Sequence, residues 1–279
     1  MMNFSNIATV YRNSLKPADS FFNIYLARPV AALVVAVCMH TRITPNQITF
    51  ASLFLMYVAM GFLAFMPNIW GLWIGVIGLE LSYVLDCADG QLARITGKSS
   101  VVGATLDFMM DELKAYLVVF AIGIRWHLEW LSGIDHFGIS LIKSINQPWF
   151  SPLLVCLFAL ISIASAISLT KFIRSPEYAQ ATNQKTIQNG QAAGQKINGI
   201  KGLIAWCARL ITQYPVTFPI FAYFDALWLF LMLYGFLHTL YTIQAVMGVI
   251  RQLGKFHPKE INQTQINQTQ TSHSNKDIL

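Results

Sequence analysis

Near-uncharged apolar stretches, each about as long as a bilayer is thick, recur along this chain and limit its fold more than any other feature. Crossing ~30 Å of hydrocarbon takes about 20 helical residues. Such stretches run from Asn46 to Met66, Ile69 to Leu85, Gly103 to Ile124, Trp149 to Thr170, Leu203 to Phe224 and Ala226 to Ile250. The expected architecture is therefore all-α: a polytopic membrane protein with six transmembrane helices. A hydrophobic content of 55% and a mean hydropathy of +0.50 disfavour a soluble domain.

Lysine and arginine orient the spans. With the N-terminus in the cytoplasm, the inner segments collect most of them, from Arg12 and Lys16 through Arg94, Lys98, Lys171 and Arg174 to Arg251 and Lys276, whereas the outer loops hold only Arg125 and Lys143. The net charge of +6 is then a collar facing anionic headgroups, with no sign of nucleic-acid binding. The expected location is a bacterial inner (plasma) membrane. Residues Met1 to Ser20 lack an apolar core followed by a small-residue cleavage site, so the first span is expected to direct insertion.

Before the first span, Ser20 to His40 is apolar but broken by Arg28 and Pro29, which reads as an interfacial juxtamembrane helix with the arginine among headgroups. Thr44, Pro45 and Asn46 give a capped start to the first span, and Pro67 and Asn68 a tight outer turn. The polar segment from Lys171 to Lys201 reads as a mobile inner loop, and the low-complexity tail as disordered. Three regions follow: residues 1–43 as the cytoplasmic N-terminus with the amphipathic juxtamembrane helix, 44–251 as the six-span catalytic domain, and 252–279 as the cytoplasmic tail. Sequons at Asn262 and Asn267 lie in that tail, away from glycosylation machinery. Cys38, Cys87, Cys156 and Cys207 occur singly, as free buried thiols rather than a zinc site or disulfide framework. Trp70, Trp126, Trp130 and Trp149 fall near outer boundaries, where interfacial anchors sit.

Against this background, four aspartates stand out in a chain that is only 11% charged: Asp86, Asp89, Asp107 and Asp111. A carboxylate at the bilayer centre costs about 2.5–3.5 kcal/mol, so these should line a wet cavity and bind cations. Asp86 and Asp89 are three apart and Asp107 and Asp111 four apart, so each pair shares a helix face. Oxygen-only donors favour a hard ion, Mg²⁺ or Mn²⁺, and two ions about 3.5–4 Å apart would suit phosphoryl displacement. Gly90 and Gly103 let a phosphate or base approach the backbone, Ala93 keeps a helix face shallow, and Arg94 offers a guanidinium. Acidic groups alone would equally fit a cation transporter or an ion-binding scaffold.

The full pattern, Asp86-x-x-Asp89-Gly90-x-x-Ala93-Arg94, eight residues, Gly103-x-x-x-Asp107-x-x-x-Asp111, resembles the signature of the CDP-alcohol phosphotransferases (CDP-alcohol phosphatidyltransferases). The segment Thr44 to Thr49 is similar to the opening of the first span in that family. The resemblance implies that Asp86, Asp89 and Asp107 hold the metals and that Asp111 is the general base and touches the second metal. Gly90, Ala93 and Arg94 would line the CDP site, with Ser100, Gly103, Asn46 and Thr49 beside them. It also implies attack of an alcohol on the β-phosphorus of a CDP substrate, release of CMP, a part in phospholipid biosynthesis, and a homodimer. Gly71, Gly75 and Gly78 could support close helix contacts in such a dimer.

The expected reaction moves a phosphatidyl group from CDP-diacylglycerol to a soluble, phosphorylated alcohol. Glu112, where family members that use polyol phosphates often carry a basic residue, leaves open the reverse: a soluble CDP-choline or CDP-ethanolamine donating to a lipid hydroxyl. A phosphorylated acceptor calls for some of Lys114, Lys171, Arg174 and Arg209 within about 10 Å of Asp111, roughly the screening length in salt. Lys114 reads equally as a helix-face lysine paired with a nearby Glu, and Glu80 as a packing or pairing residue.

Overall fold

The computed structural model describes residues 10–12, 22–133, 151–181, 211 and 213–253, and every long element among them is helical. In chain order these are α1 (Asn23–Cys38), α2 (Pro45–Phe65), α3 (Ile69–Ile95), α4 (Val101–Leu131), α5 (Pro152–Ile173), α6 (Pro176–Ala181), α7 (Tyr214–Tyr223) and α8 (Leu227–Leu253). By length and composition α2, α3, α5 and α8 can each cross a membrane. They carry exposed Phe54, Trp70, Phe158 and Ile250 on their outer faces, as lipid-facing helices do. The expected third span is the 31-residue α4, whose charged residues take it out of that apolar class. Of the expected fifth span, Leu203 to Phe224, the helix α7 is the described part.

The local signals explain where the helices start. Thr44 and Gln47 form a reciprocal capping box with Pro45 in the first turn of α2. Asn68 caps α3 by accepting from Gly71 N–H at 2.9 Å, and Ser100 caps α4 by accepting from Gly103 N–H at 3.0 Å. The second span is expected to end at Leu85, yet α3 continues for ten more residues, because its aspartates are sheltered between helices instead of meeting lipid. It stops at Gly97, where φ is +66°. There the N–H groups of Gly97 and Lys98 donate back to the carbonyls of Arg94 and Ala93, an arrangement that needs a residue tolerant of the left-handed region.

Packing among these helices sets up the site. Helix α2 packs against both α3 and α4, while no Cα of α3 comes within 8 Å of a Cα of α4. Gly75 and Gly78 let α3 lie on α2: a Cβ at Gly75 would come 2.8 Å from Leu63 Cβ, and one at Gly78 would collide with Ala59, just as one at Gly71 would collide with Met66. The glycine stripe expected at a dimer contact is therefore occupied inside one chain. Deeper along the same pair, Ser52 and Ser82 hydroxyls donate to each other's backbone carbonyl at 2.7 and 2.9 Å.

Several boundary expectations are corrected. Arg28 is 3% exposed, so it is buried against the bundle and not among headgroups, and the outer side of α1 is apolar, with Leu26, Val30, Leu33 and Val37 exposed. Arg125 lies within α4 and not in an outer loop. It ion-pairs with Glu129 at 2.8 Å and donates to the carbonyls of Leu63, Met66 and Asn68 at 3.5, 3.1 and 3.3 Å, bracing the end of α2 and the turn into α3. Trp126 is 2% exposed in the core, close to Trp228, so it is no interfacial anchor, whereas Trp70 is exposed. The start of the expected inner loop is helix α6, held by a hydrogen bond from Tyr178 to Gln252 of 2.7 Å. Cys38, Cys87 and Cys156 are free and buried. Cys207, Arg209, Lys143, Trp149, residues 182–201 of the loop and the tail with its sequons lie outside the described residues.

Replacing Gly75 by Leu should push α2 and α3 apart and cost about 1–3 kcal/mol or more. A thermal melt in detergent reads this as a lowered Tm, and an unchanged Tm would mean that the close approach contributes nothing.

Candidate active site

The opening between α3 and α4 is a cavity of about 380 Å³ at the signature end of both helices. It is lined by Asn46, Thr49, Asp89, Gly90, Ala93, Arg94, Ser100, Gly103, Asp107 and Asp111, so every substrate-side residue expected from the pattern borders one space. Pro45, Lys98, Ser99, Ala104 and Phe108 line it too and were not anticipated. Lys98 and Ser99 sit in the short connection between the two halves of the pattern, which the spacing treats as filler.

Each wall follows from local structure. With no Cβ at Gly90, the guanidinium of Arg94 lies over that position, and an added Cβ would come 3.3 Å from Nη1. A Cβ at Gly103 would stand 3.1 Å from Ser100 Oγ and 3.9 Å from Asn46 Oδ1, so these three residues form one corner. Thr49, buried on α2, donates its hydroxyl to Asp89 Oδ2 at 2.5 Å. Asp89 is 4% exposed, and that bond orients it where water cannot.

Asp86, Asp89 and Asp107 each offer an oxygen within 4.8 Å of the other two. Three carboxylates at that separation repel one another unless a cation lies among them, and an all-oxygen donor set fits a hard divalent ion. Asp111 stands outside this group, half exposed at the cavity margin. Lys114 pairs with Asp86 across the gap and lies 3.7 Å from Asp111 Oδ1. Of the cations expected near Asp111, Lys114 thus comes close, paired with aspartates and not with a Glu. The i,i+3 spacing from Asp111 to Lys114 was a readable signal for this contact.

Glu112 faces the other way and binds Lys171 at 2.7 Å. That lysine's ammonium also lies 5.4 Å from the centre of the Phe108 ring on the cavity wall, so the acidic residue after Asp111 brings a cation with it from α5. Glu80 Oε1 is buried with no hydrogen-bond partner among the described residues, which leaves its pairing reading unmet there.

Losing the Thr49 hydroxyl should loosen Asp89. Thr49→Val is expected to weaken Mn²⁺ binding by about 10-fold or more, the usual effect of removing a partner behind a ligand. Equal affinity in an equilibrium titration would remove Thr49 from the site.

Comparison with known proteins agrees with this geometry. Residues 42–250 match the family described as CDP-alcohol phosphatidyltransferase. Archaetidylinositol phosphate synthase of Pyrococcus horikoshii is 34% identical over 102 residues, which are 35% of this chain and 52% of that protein. The chain thus spans about half the length of this curated relative. The family match runs from the start of α2 almost to the end of α8 and takes in all four aspartates of the cleft. On that ground the chain belongs to the CDP-alcohol phosphatidyltransferase family, membrane-bound transferases of substituted phosphate groups.

Proposed function

We propose that this chain moves the phosphatidyl group of CDP-diacylglycerol onto the hydroxyl of a soluble, phosphorylated alcohol, with release of CMP, at the cytoplasmic face of the plasma membrane. The observation that carries the reading is the cavity between α3 and α4, where Asp89 and Asp107 of the carboxylate cluster, a half-exposed Asp111 and the Gly90, Ala93 and Arg94 wall meet, with Asp86 behind them. In this reading α4 and the segment from Leu203 to Phe224 complete six spans, and the enzyme works as a homodimer.

Position supports the following roles. Gly90, Ala93 and Gly103 leave room for the cytidine diphosphate, Asn46, Thr49 and Ser100 border it with polar groups, and Arg94 and Lys98 face its phosphates with positive charge. Asp86, Asp89 and Asp107 would hold Mg²⁺ or Mn²⁺, which supplies positive charge to the diphosphate and to the leaving phosphate. Asp111 takes the proton from the acceptor hydroxyl. As that oxygen bonds to the β-phosphorus, the bond from the β-phosphorus to the bridging oxygen breaks, and CMP departs with that oxygen. Asp111 suits this role because its carboxylate is half exposed at the margin, where an acceptor arriving from water can reach it.

Lys171, half exposed beside Phe108 and aligned by Glu112, supports a phosphorylated acceptor, since a dianion entering a carboxylate-rich site needs a donor of its own. The name of the Pyrococcus relative points the same way, to a polyol phosphate.

Purified protein with Mg²⁺ should release CMP from CDP-diacylglycerol when a polyol phosphate is added, and Asp111→Asn should lower that rate by at least about 10²-fold while still binding the CDP lipid. Release instead from CDP-choline or CDP-ethanolamine with diacylglycerol would reverse donor and acceptor. No release with either pair, or ion flux without it, would falsify the proposal.

A further inference from the structure

The transfer reaction gives no task to Lys114, a lysine buried beside its carboxylates. Lys114 lies one turn past Asp111 and two past Asp107 on α4, and its side chain is 2% exposed. Side chains on a helix lean toward its N-terminus, so the ammonium is carried toward the carboxylates while the stem stays in the bundle. The next residues on that face, Val118 and Ile122, are fully buried and apolar. Farther along that face, α4 itself offers the ammonium no polar partner. It donates instead to Asp86 on the facing helix and lies 3.7 Å from Asp111 Oδ1.

We propose that Lys114 is a permanent cation of this site, occupying the space between Asp86 and Asp111 that a second divalent ion would need, so that the chain holds a single divalent ion, on Asp86, Asp89 and Asp107. The inference rests on the transferase reading for its metal and departs from the two-ion expectation. In the substrate-free site, two divalent ions and the ammonium would set five positive charges against four carboxylates, with the lysine and the second ion competing for the same Asp86 and Asp111 oxygens. One divalent ion and the ammonium set three against four. The lysine cannot step aside to make room, because leaving the carboxylates would bury its charge without a partner. Asp111 then meets the acceptor as a carboxylate beside an ammonium, with its outer side free.

Equilibrium dialysis of the full-length protein in detergent against Mn²⁺, with EPR of the bound ion, tests this. Wild type is expected to bind a single, magnetically isolated Mn²⁺ per chain. Lys114→Met, similar in length and uncharged, is expected to bind two, with the spin coupling of ions about 3.5–4 Å apart. Two coupled ions on the wild type, no ion at all, or a folded Lys114→Met that still binds one would each overturn the inference. If Lys114→Met does not fold, the wild-type stoichiometry decides, and Lys114→Arg should keep the single ion. CMP release on the same wild-type sample separates the two readings: one ion without turnover removes the transferase and leaves Lys114 its role, whereas two ions with turnover do the opposite.

Discussion

Lys114 reaches across a space that no backbone closes. Helices α3 and α4 carry the carboxylates yet do not pack on each other, and α2 holds both of them at a fixed separation. Like charges would widen such a gap and hydrocarbon would close over it, so its width has to be imposed from elsewhere. The glycines of α3 and the paired serines Ser52 and Ser82 set the α2–α3 distance, and the ammonium on Asp86 ties α4 across the opening. Small residues along the α2–α3 contact thus position charged ones at its end.

The far end of the bundle follows the same logic. Arg125 and Glu129 are buried as a pair, and the guanidinium braces the end of α2 and the turn into α3. Charged groups inside an apolar bundle are tolerated when they pair with each other and with backbone carbonyls. Helix α4, too charged to count as an apolar span, is charged because it fastens α2 at one end and α3 at the other.

What the sequence revealed divides along physical lines. The four aspartates, the glycines beside them and the caps at Thr44, Asn68 and Ser100 were legible because each depends on neighbours within a turn or two of chain. Arg28, Arg125 and Trp126 were misplaced because charge and indole near an apolar boundary look interfacial whether they point outward or inward. Only the packing of a second helix settles the direction. The same holds for Gly71, Gly75 and Gly78, which mark a close approach without naming the partner. Leu85 seemed to be an end because a carboxylate follows it, and the helix goes on because another helix shelters that carboxylate.

The connection between α3 and α4 has one more consequence. Its entry is fixed by the turn at Gly97 and its exit by the cap at Ser100, so it works as a phase lock between two rotors. A residue added inside either helix next to it would turn everything beyond by about 100°. Asp107 and Asp111 would then swing off the cleft while remaining helical and equally deep. The number of residues between Arg94 and Gly103 thus matters alongside the Gly97 turn and the Ser100 cap among them: it is the angular setting that makes two separate carboxylate pairs into one site.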